Sequence, residues 1–197
     1  MTNPLFECEL TPEQMLDNLP AFFEKLNSLA RDIGLELTEY QADHIAMRIN
    51  DNQLTDQAHQ AWLKFGTVIS SAYINGRPII VLEFTKPISI QNWAIECLEL
   101  PYPAKGKQYP NQGWEHVEFV IPSDAKTAKE YLKELKSRMP RLLDAWDRME
   151  SMGINIKLSS PKGEGERLAN PTVAFKRDGV CIKLHPHALK QVVLSEQ

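Results

Sequence analysis

The N-terminal part of the chain carries apolar residues at the spacing of an amphipathic helix. Between residues 11 and 36 these positions are Met15, Leu16, Leu19, Phe22, Phe23, Leu26 and Leu29. Thr11, followed by a proline and then by Gln14 at the capping-box position, is typical of a helix start. Pro20 predicts a break into two helices, and Gly34 predicts the end of the helical segment.

After residue 41 the pattern changes to short apolar runs, as expected for strands. In the first half of the chain a strand at 44–49 is followed by a polar turn and a helix that passes through Ala58 and ends near Gly66. Three further strands are predicted at 67–74, 77–84 and 93–100. Asn75-Gly76, which separates the first two of them, is a strong hairpin signal.

The second half repeats this order. A strand at 116–121 precedes a helix predicted to start at 122–124 and to bend at Pro140, and three strands follow, at 154–158, 172–175 and 180–184. Asp178-Gly179 predicts the last hairpin. The sequence therefore predicts an α+β protein with two paired βαβββ modules and an N-terminal helical cap. The predicted boundaries are 1–41 for the cap, 42–101 for the first module, 102–113 for a Pro/Gly-rich linker, and 114–197 for the second module and tail.

Two short sequence motifs occur in both halves of the chain, with one similar copy of each motif in each half. Residues 43–49 are Asp-His-Ile-Ala-Met-Arg-Ile and residues 115–121 are Glu-His-Val-Glu-Phe-Val-Ile. The second motif is Cys-Leu-Glu-Leu-Pro at 97–101 in the first half and Cys-Ile-Lys-Leu-His at 181–185 in the second half. A duplicated unit with one histidine in each copy can bring both histidines to a shared interface, where histidines bind metals or activate substrates.

Strand alternation predicts which of these side chains share a face. In both first strands the face that carries neither histidine is apolar and is expected to pack under helices. The opposite, enclosed face is predicted to collect His44, Arg48, Glu99, His116, Glu118, Lys183 and His185.

Polar groups enclosed in this way must be paired or bound to something. Two imidazoles and a carboxylate suit a divalent ion such as zinc, nickel, manganese or iron(II), which makes His44, Glu99 and His116 the candidate metal ligands. The alternative is a structural cluster in which Arg48 pairs with Glu118 and Lys183 pairs with Glu99.

Composition narrows the class of protein. The chain has 197 residues, 43% of them hydrophobic, and a formal net charge of −4, which are ordinary values for a globular protein and argue against broad nucleic-acid binding. The N-terminus lacks the features of a signal peptide, and no apolar run approaches the ~18 residues of a membrane span. We therefore expect a cytoplasmic protein without a membrane or nucleic-acid partner. The three cysteines show no CxxC spacing, so neither disulfides nor a cysteine zinc site is predicted.

The whole pattern resembles the vicinal oxygen chelate superfamily, and within it the YecM family of bacterial proteins. The matching stretches are Asn-Gly-Arg-Pro-Ile (75–79), Gly-Trp-Glu-His (113–116), Ser-Ser-Pro-Lys-Gly-Glu (159–164), Glu-Arg-Leu (166–168) and Asn-Pro-Thr (170–172). The resemblance implies two βαβββ modules around a metal-bearing cleft. It places ligands on the first and last strand of each module, at His44, Glu99, His116 and Lys183.

Lys183 departs from this pattern, because the superfamily usually has glutamate there and a protonated lysine cannot bind a metal. Three interpretations stay open: a three-ligand site with an open position, a fourth ligand supplied by Glu118 or His185, or loss of the metal. The resemblance implies a metal-dependent isomerase, lyase or dioxygenase acting on a small oxygen-rich substrate, with Glu118 as general base and Lys183 or Arg48 as anion partner. The alternative is a non-catalytic small-molecule-binding protein with a vestigial metal site. Neither the substrate, the metal, the oligomeric state nor the role of loop 159–171 follows from the sequence.

Overall fold

A computed structural model describes residues 3–74, 76–160 and 168–195 and shows an α+β protein. The described α-helices are α1 (Pro4–Glu7), α2 (Pro12–Asp32), α3 (Asn52–Trp62), α4 (Ala128–Arg138), α5 (Pro140–Ala145) and α6 (Leu189–Ser195), and a 3-10 turn follows α5 at Trp146–Arg148. The strands are β1 (Gln41–Arg48), β2 (Gly66–Ile74), β3 (Arg77–Ile90), β4 (Trp93–Pro101), β5 (Gly113–Val120), β6 (Asn155–Ser159), β7 (Thr172–Arg177) and β8 (Val180–His185).

The eight strands of the described residues belong to one sheet, in the order β2-β3-β4-β1-β5-β8-β7-β6. Within each half the first strand pairs in parallel with the last, β1 with β4 and β5 with β8. The halves join through the antiparallel pair of β1 and β5 at the centre. This arrangement confirms the predicted pair of βαβββ units and makes β1 and β5 the place where the two halves meet.

Helix α2 is continuous, so the predicted break at Pro20 is wrong. Thr11 and Gln14 form the predicted capping box, and Pro20 lies inside the helix with its ring on the exposed side. The apolar face of α2 is buried along its length, and this packing outweighs the hydrogen bond that a proline cannot donate. Gly34, just beyond the end of the helix, has a φ of +72°, and an added Cβ there would lie 2.4 Å from the carbonyl oxygen of Arg141.

The helix of the second half begins later than predicted. Residues 122–124 belong to no helix, and α4 starts at Ala128 behind a capping box made by Thr127 and Glu130. The predicted bend at Pro140 is confirmed as an interruption, because α4 ends at Arg138 and α5 begins at the proline. Helix α6, near the C-terminal end, carries no strong periodicity and was not predicted.

The hairpin prediction at Asp178-Gly179 is confirmed, with φ values of 50° and 81° for the two residues and antiparallel pairing of β7 with β8. Strands β2 and β3 also pair as an antiparallel hairpin, although Asn75 itself lies outside the described residues. Most of the predicted long loop 159–171 lies outside them too, because residues 161–167 are not described. Strand β3 extends to Ile90, past the predicted end at residue 84, after an irregularity in its pairing with β4.

The two faces of the central strands differ as alternation predicts. Ile45, Met47, Val117 and Phe119 are fully buried in an apolar core that includes the buried face of α2. The opposite face carries the polar residues described below, which are buried as well. Within the described residues, none of the helices combines the length and apolar character that crossing a membrane requires.

Candidate metal centre

The candidate site lies on the four central strands, β4, β1, β5 and β8. One cross-strand row contains Cys97, His44, Glu118 and Lys183, which are direct neighbours in that order. The adjacent row contains Glu99, Ala46, His116 and Cys181 in the same strand order. Direct neighbours across a sheet share a face, so the predicted site residues His44, Glu99, His116, Glu118 and Lys183 are brought together on one face.

The two rows are related by the symmetry of the repeat. Exchanging β1 with β5 and β4 with β8 exchanges His44 with His116 and Glu99 with Lys183, as the repeated motifs predict. The same exchange makes Ala46 the counterpart of Glu118. The halves therefore contribute matched histidines and matched cysteines but differ at the other two positions, where Ala46 corresponds to Glu118 and Glu99 corresponds to Lys183.

The donor atoms of the site converge. One ligand atom from each of His44, Glu99, His116 and Glu118 lies within 4.8 Å of the others. Nε2 of His44 is 3.7 Å from Glu99 and 3.4 Å from Glu118, and Nε2 of His116 is 3.9 Å and 3.2 Å from the same carboxylates. Four ligands at ~2.1 Å from a tetrahedral metal are ~3.4 Å apart, so these separations match the size of a divalent-metal site.

Each histidine is oriented by the acid that precedes it in the sequence. Nδ1 of His44 lies 2.9 Å from Oδ2 of Asp43, and Nδ1 of His116 contacts Glu115. Consecutive residues of a regular strand point to opposite faces, but the β1–β5 register shifts at Asp43 and again at Glu115, so each acid is the extra residue of a bulge. The bulges bring acid and histidine together, and Nδ1 pairing directs both Nε2 atoms at the site, as outer-sphere carboxylates do in metal proteins.

Lys183 contacts the donors directly. Its Nζ is 2.8 Å from Oε1 of Glu118 and 3.0 Å from Nε2 of His116. The alternative ion pairs considered from the sequence are therefore wrong in their partners, because Lys183 pairs with Glu118 and Arg48 pairs with Glu115 at 3.3 Å. Arg48 also stacks on Tyr109, with 4.5 Å between the guanidinium carbon and the ring centroid. It supports the outer-sphere carboxylate of His116 and does not touch the four donors.

A second polar group extends the site through His185. Its Nδ1 is 3.3 Å from Oε2 of Glu118, and its Nε2 is 3.4 Å from Asp43. Asn170 lies 3.1 Å from the same Nδ1, and the backbone N–H of Leu189 donates to Asp43. Asn170 and Leu189 were missed because loop and helix-start contacts leave no periodic signal. The repeated acid–histidine motif singles out Asp43 and Glu115, but it does not predict that they pair with the Nδ1 atoms of the histidines.

Buried charges in the site hold one another in place. Burial lowers the pKa of His44, but the charge of Glu118, the hydrogen bond to Asp43 and the nearness of both Glu118 and Glu99 hold it well above its usual value. Burial raises the pKa of Glu99, but the nearby His44 ring and the charge of Lys183 outweigh this and lower it to about 2. For Glu118 burial is likewise outweighed, first by Lys183 and then by His44, and its pKa lies well below the usual range. These charges form a buried network without a metal.

Lys183 and His185 differ in their charge. Burial lowers the pKa of Lys183, but Glu118 and Glu99 outweigh it and raise the pKa above its usual value, so the ammonium is charged. Burial lowers the pKa of His185 more than Glu118 and Asp43 raise it, so this ring is neutral at neutral pH. Of these two residues, Lys183 is therefore the one that brings a positive charge to the donors.

The residues present fit a divalent metal. The donor set is two imidazoles and two carboxylates, which suits zinc and the late first-row metals. Nε2 of His44 is buried and makes no hydrogen bond to any residue in the described ranges, although two carboxylates lie within 4 Å of it. A buried nitrogen without a hydrogen bond, facing carboxylates, is the arrangement that a cation would complete.

Paired βαβββ halves around a buried histidine–carboxylate cluster define the architectural class of this protein. The family model described as YecM protein matches residues 11–196, and the chain belongs to that family. Protein YecM of Escherichia coli is 37% identical over 185 residues, which is 94% of each chain. An uncharacterized protein of Haemophilus influenzae is 35% identical over 88% of this chain and 89% of its own. The solved structure of a structural-genomics target, Protein EC4020, aligns with a TM-score of 0.79 and 33% identity over 100% of this chain and 98% of that one.

Proposed function

We propose that this protein binds a divalent metal ion through His44, Glu99 and His116 and acts on a small oxygen-rich substrate as an isomerase, lyase or dioxygenase. The observation that carries the proposal is the orientation of the two histidines. Because Asp43 and Glu115 occupy both Nδ1 atoms, both Nε2 atoms are directed at the same pair of carboxylates. Close packing of the sheet does not require a bulge in front of each histidine. The two matched bulges therefore support a site that needs both Nε2 atoms to point at the carboxylates.

A divalent ion at these residues would polarise substrate oxygens and stabilise negative charge that develops on them. The protein's own residues supply the rest. Glu118 has one oxygen, Oε2, that faces His185 and can accept a proton. Lys183 is a permanent positive charge beside the donors and suits an oxygen anion of the substrate. Arg48 has a positioning role, because it holds Glu115, which holds His116.

The exposure of the side chains supports one direction of approach for the proposed substrate. His44 and His116 are essentially buried, whereas the side chains of Glu99 and Lys183 are 17% and 25% exposed. These two residues lie at equivalent positions of the two halves, on either side of β1 and β5. A small molecule would therefore approach between Glu99 and Lys183, and the buried histidines would exclude bulk water from behind it.

The second candidate function is a non-catalytic small-molecule-binding protein with a vestigial metal site. The position of Lys183 favours it, because the ammonium already contacts Glu118 and His116, two of the groups that would surround a metal. A protein that has exchanged its metal for a lysine keeps the same outer-sphere carboxylates and the same partly exposed side chains of Glu99 and Lys183. The two candidates differ in one measurable property, the presence of a metal.

The test is the metal content of protein purified without an affinity tag or a chelator, measured by elemental analysis and followed by calorimetric titration with Zn²⁺, Ni²⁺ and Mn²⁺. We expect one metal per chain, lost when His44 and His116 are both changed to alanine. His59→Ala is the matched control, because His59 lies on α3 outside the donor cluster. Unchanged metal content in the double variant would reject the site, and absence of metal from the wild type would favour the binding protein.

A further inference from the structure

The two halves of the site do not place their acidic residues on equivalent strands. The first half contributes Ala46 on β1 and Glu99 on β4 to the row that contains His116. In the second half the equivalent positions carry Glu118 on β5 and Lys183 on β8. One carboxylate and one histidine therefore come from each half, but the carboxylate of the second half lies one strand closer to the centre of the sheet.

Although Glu118 lies on a different strand from the counterpart of Glu99, its carboxylate is close to both histidines. Oε1 of Glu118 is 3.4 Å from Nε2 of His44 and 3.2 Å from Nε2 of His116. Oxygens of Glu99, the carboxylate at the superfamily's usual position, are 3.7 Å and 3.9 Å from the same nitrogens. Glu118 thus lies closer to both histidines than the expected ligand does.

We propose, on the basis of the proposed function, that Glu118 and not residue 183 is the fourth metal ligand, and that Lys183 is a counter-cation that leaves the donors when a metal binds. Oε1 of Glu118 takes the ligand position, while Oε2 keeps its contact with His185. Each half of the protein then supplies one histidine and one glutamate to the metal. The two glutamates are not at equivalent positions, because Glu99 is on β4 and Glu118 is on β5.

Competition between the ammonium and the metal follows from their shared partners. Nζ of Lys183 hydrogen-bonds the same two atoms, Oε1 of Glu118 and Nε2 of His116, that would donate to the metal. A charged ammonium and a divalent cation at that distance repel each other strongly in a buried site. Lys183 is on the exposed side of the cluster, so its flexible stem can carry the ammonium toward water while its methylenes stay packed.

The experiment gives the second half, at positions 118 and 183, the residue types that the first half has at Ala46 and Glu99. Glu118→Ala should weaken Zn²⁺ binding by at least the ~10–100-fold that follows loss of an outer-sphere partner. The double variant Glu118→Ala with Lys183→Glu recreates the arrangement of Ala46 and Glu99 at equivalent register positions, and should recover most of the lost affinity. Lys183→Met, which keeps Glu118 and removes the competing charge, should bind Zn²⁺ more tightly than the wild type does.

The control is Glu96→Ala, which removes a partly exposed carboxylate that pairs with Lys190 outside the site, and which should leave the Zn²⁺ dissociation constant unchanged. Unchanged affinity in Glu118→Ala, or no recovery in the double variant, would overturn the inference. If Glu118→Ala does not fold, the double variant and Lys183→Met decide the question. A wild-type protein that binds no Zn²⁺ would overturn the proposed function, whereas loss of binding in the His44/His116 variant with normal binding in Glu118→Ala would overturn only this inference.

Discussion

The ammonium nitrogen of Lys183 lies 2.8 Å from Oε1 of Glu118, within a cluster whose other members are two histidines and a second glutamate. The two residues are direct neighbours across the parallel pair of β5 and β8. In the metal-free protein this contact neutralises a carboxylate that is more than nine-tenths buried. The stability of the metal-free protein and its response to a metal are therefore linked through one side chain.

Lys183→Met should destabilise the metal-free protein, because it leaves the buried carboxylate of Glu118 without its main cation. We expect a loss of ~3 kcal/mol in the free energy of unfolding, the lower end of the range for breaking a buried pair, since Lys183 is partly exposed. Urea denaturation would measure it. Saturating Zn²⁺ should raise Tm more in this variant than in the wild type. Lys190→Met, which breaks partly exposed ion pairs, should cost less than ~1 kcal/mol.

Asp43→Asn should weaken metal binding although residue 43 does not face the donors. The Asp43 carboxylate accepts hydrogen bonds from Nδ1 of His44 and from the backbone N–H of Leu189. The asparagine amide offers a single, neutral acceptor oxygen and so replaces only part of these interactions. Loss of such an outer-sphere partner weakens metal affinity ~10–100-fold. Calorimetric titration with Zn²⁺ would measure the change. Asp144→Asn, at an exposed position on α5, should leave the affinity unchanged, and an equal effect of both substitutions would contradict the assigned role of Asp43.

Much of the site could be predicted because it depends on strand alternation and on the repeat. Alternation places His44, Glu99, His116, Glu118 and Lys183 on one face, and the structure brings them together. It could not predict the two bulges, since a regular strand would send Asp43 and Glu115 to the opposite face from their histidines. For the same reason the true partner of Arg48 was not found: it is Glu115, which a regular strand would direct away from it.

The helices show a different limit. The fold class followed from the order of apolar runs, and the start of α2 from its capping box. The effect of Pro20 did not follow, because local rules give the cost of a proline but not the gain from packing a 21-residue helix against the sheet. Helix α6 was missed because its buried residues, Val192 and Val193, are adjacent and show no helical period.

Pro20→Ala should stabilise the protein, because the proline lies inside a continuous helix at an exposed position. An alanine restores a backbone donor and favours the helix by ~3 kcal/mol, and the greater freedom of the unfolded chain offsets ~0.4–1 kcal/mol of this. We expect a net gain of about 2 kcal/mol by urea denaturation. Lys25→Ala, also exposed on α2, should change the free energy of unfolding by less than ~0.5 kcal/mol. A loss of stability in Pro20→Ala would show that the proline fits a local distortion of the helix.

Metal binding should strengthen as the pH rises, because the pKa of His44 in the metal-free protein is held well above its usual value of 6.5. Below that raised pKa the imidazole carries a proton on Nε2, since Nδ1 is already directed at Asp43. A metal must displace this proton, so the apparent affinity for Zn²⁺ should increase roughly tenfold per pH unit below the pKa of His44 and level off above it. Lys183 adds nothing to this slope, because its pKa is raised and its ammonium moves aside without losing a proton.

Calorimetric titrations with Zn²⁺ in two buffers of different ionisation enthalpy would count the protons released on binding. At neutral pH we expect His44 to release about one proton for each metal bound, because its raised pKa leaves the ring protonated in the metal-free protein. Asp144→Asn should release the same number, whereas Asp43→Asn should release fewer, because losing the Asp43 charge lowers the pKa of His44 and leaves less of it protonated. Binding that is independent of pH between about 6 and 8, with no proton release, would show that His44 is neutral before the metal arrives. The buried cation facing Glu99 and Glu118 would then be Lys183 alone.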